Sequence, residues 1–173
     1  MRAYVALILL VAVERVAELV VSNRNLDWSK ANGGREFGAG HYPVMVALHT
    51  GLLAGAVLEA RSRKRWIWPA FCVVVAAQAL RWWCITTLGR QWNTRVIVVP
   101  GLPLVRSGPY RWVPHPNYVA VVVEGFALPL VHAAWWTAVV FTLANAALLT
   151  VRIRVEDAAL ATAGGRETSC AIS

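Results

Sequence analysis

The sequence predicts an all-α, polytopic integral membrane protein with about five transmembrane helices. Three observations carry that expectation. Of 173 residues, 58% are hydrophobic and 15% charged, against about 45–50% and about 25% in soluble domains. Mean hydropathy is +0.52. The apolar residues gather into five runs near the ~20 residues a helix needs to cross a bilayer, separated by basic or proline-rich stretches.

The first run, 3–21, follows a short Arg2 flank. No small-residue cleavage signal precedes the charged loop after it, so a retained span is expected rather than a removed signal peptide. The second run is 43–59, the third 66–85, the fourth 117–133 and the fifth 135–151. In lipid the backbone must satisfy its own hydrogen bonds, so each run is expected as a helix. Trp66, Trp68, Trp82, Trp83, Trp135 and Trp136 stand at the run ends, as interface anchors do.

Between the third and fourth runs, 86–116 holds Pro100, Pro103, Pro109, Pro114 and Pro116 with Gly89, Gly101 and Gly108. That density breaks helices and makes turns. Its apolar middle, Arg95 to Val99, is expected at the membrane interface. Residues 1–163 read as one domain, and the small, polar 164–173 as a disordered tail.

The net charge is +8. Short loops beside membrane spans collect Lys and Arg, so the balance needs no nucleic-acid partner. No basic stripe lies on a soluble element, and nucleic acid is not expected. Five spans place Arg2, Arg61, Arg63, Lys64 and Arg65 on one side. Arg24, Lys30, Arg35, Arg81, Arg90, Arg95, Arg106, Arg111, Arg152, Arg154 and Arg166 fall on the other, which is expected to be cytosolic. Cys72, Cys84 and Cys170 are odd in number and form no CxxC, so neither a disulfide framework nor a metal site is expected. Phosphate-loop, dinucleotide, zincin and serine-hydrolase motifs are absent, which excludes those cofactor and nucleophile classes.

Several ionisable or polar groups fall inside spans: Glu14, Arg15, Glu18, His49, Gln78 and Glu124. Arg15 reaches Glu18 at i,i+3. Charge at membrane depth is costly and faces the bundle interior, where it either ties helices together or lines a polar path. Five spans without inverted halves disfavour a transporter.

The densest constellation runs from Gly108 through Pro109, Tyr110, Arg111 and Trp112 to Pro114, His115, Pro116, Asn117 and Tyr118, at the mouth of the fourth span. Proline on both sides stiffens the backbone at His115. Asn117 is expected to cap the incoming helix, whose free N–H groups suit a carboxylate or phosphate. A second constellation closes the fifth span, where Arg152 and Glu156 share a helix face and Asp157 follows. Arg clamps carboxylates bidentately, and Glu accepts from an amine or a ribose hydroxyl.

Together these segments resemble the isoprenylcysteine carboxyl methyltransferase family of membrane enzymes, over roughly 80–160. The family shows a Leu-Val pair, Gly-x-Tyr and Arg-His-Pro-x-Tyr before a span, then Arg and Glu-Glu after the last span. This chain has Leu102-Pro103-Leu104-Val105, Gly108-Pro109-Tyr110, His115-Pro116-Asn117-Tyr118, and Arg152 with Glu156-Asp157. The resemblance implies S-adenosylmethionine as cofactor. It places the cofactor pocket on the cytosolic side, between the loop before helix 4 and the end of helix 5. Leu102, Pro103, Leu104, Val105, Tyr110, His115, Pro116, Asn117, Tyr118 and Glu156 would line it. Arg152 would face the acceptor's acidic group, with Asp157 beside it as the second catalytic residue. Pro114 stands where the family has Arg, which leaves Arg111 or Arg95 to replace that cation. Asp157 replaces the second Glu.

The N-terminal half is similar to small bacterial members, some of which methylate alkylpyrones or alkylresorcinols. The matching residues are Glu14-Arg15, Ser22, Arg24-Asn25, Trp28, Gly33-Gly34, Glu36, His41-Tyr42-Pro43, Met45 and Leu48-His49. That implies O-methylation of a lipophilic small molecule drawn from the bilayer, with a prenylcysteine carboxylate as the family's other acceptor. A carboxylate or acidic enol is already ionised and needs only positioning. A phenol, with a pKa of about 10, wants a base, for which His49, Glu14 and Asp157 are candidates. The competing readings are a phospholipid amine N-methyltransferase and a non-enzymatic membrane scaffold or transporter.

Overall fold

The computed structural model describes residues 1–62 and 65–170, with side chains as far as Thr162. Five helices follow the five apolar runs: α1 (Arg2–Ala31), α2 (His41–Ala60), α3 (Trp68–Leu88), α4 (Pro116–Leu130) and α5 (Trp135–Cys170). Three of them, taken as His41–Ala60, Trp68–Gln91 and Trp135–Thr162, are long and apolar enough to cross a membrane. The 30 residues of α1 measure ~45 Å, more than the ~30 Å hydrocarbon core. Its charged middle excludes it on composition, although its outer residues Leu9, Leu10 and Val13 are exposed and apolar. The 15-residue α4 is shorter than a full span, because Pro116 opens it and a tight turn closes it. In that turn Ala133 takes a φ of 58°.

The helices differ from the expected spans mainly at their ends. α1 runs past residue 21 to Ala31, and α5 past 151 to Cys170. The side chains of 164–173, read as a disordered tail, lie outside the described residues, as do Arg63 and Lys64 of the basic loop. Cys72 is exposed on the outer face of α3, whereas Cys84 is buried.

One element departs from an all-helical expectation. Residues Val96–Val98 form strand β2, paired antiparallel with β1 (Arg35–Phe37). Glu36 sits opposite Ile97 in that register. The Arg95–Val99 stretch therefore does not lie free at the interface. Its β-branched residues suit a pleated strand, and the pairing satisfies backbone groups that lipid would leave open.

The two sets of connections lie at opposite ends of the bundle. At one end Tyr4 and Ile8 of α1 pack with Ala56, Ala60, Val74, Leu128 and Val131. Tyr4 Oη donates to Leu128 O at 3.0 Å, and Ile67 N to Val131 O at 2.9 Å. Glu59 accepts from the backbone N–H of Trp136 and Thr137 at 3.1 and 2.8 Å, which caps α5. Where α4 crosses α5, a Cβ on Gly125 would overlap the Phe141 ring, so this contact requires glycine. The other end holds the site.

Candidate functional site

Every helix contributes to one cavity of about 570 Å³. The loop from Trp92 to Arg95 forms part of its wall and is held on α1 by side chains. Asn25 Nδ2 donates to Gly89 O at 3.0 Å and Trp92 O at 2.7 Å. Ser22 Oγ lies 2.9 Å from Asn93 Oδ1 and 2.7 Å from Thr94 Oγ1. Polar residues on an apparent span thus serve as the anchor for a loop. Gly108 takes a φ of 54°, and a Cβ there would overlap the Thr87 side chain of α3, so this turn requires glycine.

The expected constellations meet here. His115, from the loop, stacks on Tyr118 of α4 at 5.4 Å between ring centroids. Tyr118 Oη donates to Glu156 Oε2, and Arg152 Nε donates to Tyr118 Oη at 3.0 Å. Arg152 and Glu156 are therefore joined through a phenol rather than paired directly. The remaining Arg152 nitrogens meet Met45 Sδ at 3.1 Å and the backbone O of Thr94. Arg152 is buried, and among the described residues it has no carboxylate ion pair. Burial pushes the Tyr110 phenol above its ordinary value, and Cys84, Glu156 and Tyr118 push the same way. Tyr110 therefore stays a neutral hydroxyl at physiological pH.

Leu102, Leu104, Val105, Tyr110, His115, Asn117, Tyr118, Arg152 and Glu156 all line the cavity. Pro103, Pro116 and Asp157 are not part of that lining. Pro116 is buried as the first residue of α4, where its missing N–H costs nothing. The Asp157 side chain is 59% exposed and meets His115 Nε2 at 3.1 Å. Asn117 does not cap α4. His115 occupies the cap position, and Asn117 sits inside the first turn with Oδ1 buried and unpartnered.

Of the two cations proposed to replace the family Arg, only Arg95 lines the cavity. It pairs with Glu36 at 2.9 Å and lies 4.2 Å over the Tyr42 ring. Arg111 packs over Trp112. Of the N-terminal residues singled out in the sequence, Arg15, Met45 and His49 line the same cavity as the C-terminal ones. Asn93, Thr94, Trp92 and Asn145 were not picked out, because an isolated polar residue carries no spacing signal.

The charged span residues form an ion-paired cluster, of which Arg15, Glu18 and Arg81 also line the cavity. Glu124 accepts from Arg15 and Arg81, each at 2.5 Å. Glu18 accepts from Arg15 at 2.5 Å and faces Arg81 Nε at 3.5 Å. Glu14 instead bonds Gln78 and Trp82, away from the cavity lining.

Residues 70–162 match the model of the isoprenylcysteine carboxyl methyltransferase (ICMT) family, more than half of the chain.

The chain belongs to the isoprenylcysteine carboxyl methyltransferase family.

The chain is 40% identical to the uncharacterized protein YpbQ of Bacillus subtilis (strain 168) over 158 residues, 89% of this chain and 94% of that protein. It is 24% identical to an uncharacterized protein of Haemophilus influenzae over 151 residues, 84% of this chain and 88% of that protein. No solved structure matches. Membership and the apolar helices make this an integral membrane protein of the methyltransferase type that names the family.

Proposed function

We propose that the protein is an S-adenosylmethionine-dependent O-methyltransferase acting on a lipophilic acceptor, such as an alkylpyrone, an alkylresorcinol or a prenylcysteine carboxylate. The observation that carries this reading is the convergence of the loop before α4, the start of α4 and the end of α5 on one cavity. Its volume suits a small-molecule site, typically ~300–1,000 Å³.

Polar capacity left open in the cavity supports a bound cofactor. Trp92 Nε1 and Asn117 Oδ1 are buried there without partners. Such atoms are costly unless something else bonds them. Glu156 and Tyr118 would hold ribose or amino groups, Tyr110 would donate its neutral hydroxyl, and Leu102, Leu104 and Val105 would pack the adenine. The cofactor would supply an electrophilic methyl group on a sulfonium.

The protein's own contribution is placement and charge. Arg152, a buried cation without a carboxylate partner, orients an anionic acceptor oxygen in line with the methyl group. The same cation disfavours an amine acceptor, which argues against phospholipid N-methylation. Val16 and Val46 line the cavity and are also 61% and 39% exposed. The gap between α1 and α2 therefore opens sideways, as entry from the bilayer requires. The excess of Lys and Arg on the loops at the site end supports a cytosolic orientation.

Calorimetry of S-adenosylhomocysteine binding to detergent-purified protein tests the proposal, with Glu156→Ala as control. Binding weakened by the substitution is expected. Absence of binding in folded protein overturns the enzymatic reading and leaves a membrane scaffold or transporter.

A further inference from the structure

We propose that His49 and Asn145 form the subsite for a dihydroxy acceptor ring, in which His49 Nε2 accepts the proton of the hydroxyl that is methylated and Asn145 Oδ1 accepts from the second O–H. The inference rests on the methyltransferase reading and assigns residues to a step that reading leaves open.

The tautomer of His49 follows from its partner. Its Nδ1 lies 2.9 Å from the carbonyl oxygen of Met45, one turn back on α2. A carbonyl oxygen only accepts, so Nδ1 carries the hydrogen and Nε2 presents a lone pair. Phe141 packs edge-on against the ring at 5.3 Å and holds its orientation. Among the described residues Nε2 has no hydrogen-bond partner, and His49 lines the cavity.

Asn145 supplies the second observation. It is 1% exposed, lines the same cavity, and its Oδ1 has no partner. A buried amide oxygen with nothing bonded to it is costly, and a second ligand O–H that donates to it resolves that cost. Asn145 stands two turns before Arg152 on one face of α5, and Met45 contacts both the Arg152 guanidinium and His49. The imidazole therefore lies about one helical turn, ~6 Å, along α2 from the residue that Arg152 touches. A small ring can meet both.

The other candidate bases drop out on geometry. Glu14 is held by Gln78 and Trp82 outside the cavity lining, and Asp157 is exposed and bonded to His115. The charges facing His49 are Arg15 of α1, Arg81 of α3 and Glu124 of α4. They neutralise one another together with Glu18. Glu18 Oε1 also lacks a hydrogen bond but faces Arg81 Nε at 3.5 Å, so the ring is the proton acceptor here that no cation holds.

The acceptor O–H proton passes to His49 Nε2 as the oxygen lone pair forms the O–CH₃ bond. The S–CH₃ bond of the sulfonium co-reactant breaks and its electron pair stays on sulfur, giving a neutral thioether. The imidazolium then returns its proton to water through the cavity mouth.

The test needs no cofactor. A long-chain nitroresorcinol, whose absorbance separates phenol from phenolate, is titrated with pH in detergent micelles alone, with wild-type protein, and with His49→Gln and Asn145→Ala. Wild-type protein is expected to lower the dye's apparent pKa by about one unit or more, the order of an ordinary environmental shift. His49→Gln should abolish that shift, and Asn145→Ala should weaken dye binding. A second measurement follows methyl transfer to pentadecylresorcinol. Here His49→Gln is expected to cost about 10²-fold near neutral pH, as loss of a general base does, and progressively less as pH approaches the phenol's own pKa. A dye that fails to bind, an unshifted wild-type titration, or a His49→Gln loss equal at every pH overturns the subsite while S-adenosylhomocysteine binding still stands. Loss of S-adenosylhomocysteine binding in wild-type protein overturns the underlying function instead.

Discussion

Two polar clusters lie in the bundle, and only one pairs its charges directly. In the cluster of Arg15, Glu18, Arg81 and Glu124, two cations face two carboxylates, with contacts from 2.5 to 3.5 Å. In the cluster of Tyr118, Arg152 and Glu156, the buried cation meets a hydroxyl, a thioether and a carbonyl, but no carboxylate among the described residues. The first joins α1, α3 and α4 by direct ion pairs, although Glu18 Oε1 and Arg81 Nε make no hydrogen bond. The second leaves the Arg152 charge without a direct carboxylate partner. Buried charge therefore marks function by what remains unpaired, not by its presence.

The comparison is broken most directly at Glu124. Glu124→Ala leaves Arg15 and Arg81 buried with one carboxylate between them, which is expected to cost about 3–5 kcal/mol. Thermal unfolding in detergent measures this, and an unchanged midpoint would remove the cluster's structural role. Arg152→Ala should behave oppositely. Methyl transfer is expected to fall about 10²-fold or more, the scale of losing a preorganised charge contact. The unfolding midpoint should move far less than in Glu124→Ala, and equal destabilisation would make the two clusters alike.

Glu156→Ala sharpens the assignment within the open cluster. Loss of one hydrogen bond to a charged group is worth about 1.5–3 kcal/mol, so S-adenosylhomocysteine binding should weaken about tenfold or more. The Arg95–Glu36 pair is partly exposed. Its coupling in a double-mutant cycle, read from unfolding midpoints, should stay below about 1 kcal/mol. Asp157→Asn is expected to change least, within about 0.5 kcal/mol in stability, as surface substitutions do. A rate loss like that of Arg152→Ala would restore Asp157 to the catalytic role its position in the motif suggests.

Much of the site was legible because its residues are closely spaced. Gly108 to Tyr118 stands in one loop, and Arg152 and Glu156 stand one turn apart on one helix. Covalent proximity fixes such groups near one another before any packing is known. Pro103, Pro116 and Asp157 belong to the same motifs, yet they do not line the cavity. A motif specifies neighbours, whereas the helix phase decides which of them face inward. Strand β2 was missed because its partner, Arg35–Phe37, is about 60 residues away in sequence and only three residues long. The Ser22 and Asn25 contacts were missed for a similar reason. A polar residue near the end of a span gives no sign of which loop it will hold.

The sequence by itself determined the membrane class, the five helices and the family, because these depend on composition, run length and local motifs. A bilayer imposes run length directly, since every backbone group in it must bond within the helix. Only the tertiary structure decided which buried charges cancel and which stay open, that Arg95 rather than Arg111 reaches the cavity, and that Asn145 stands there unpartnered. Those outcomes depend on helix rotation and on contacts between distant residues, and no local spacing encodes them.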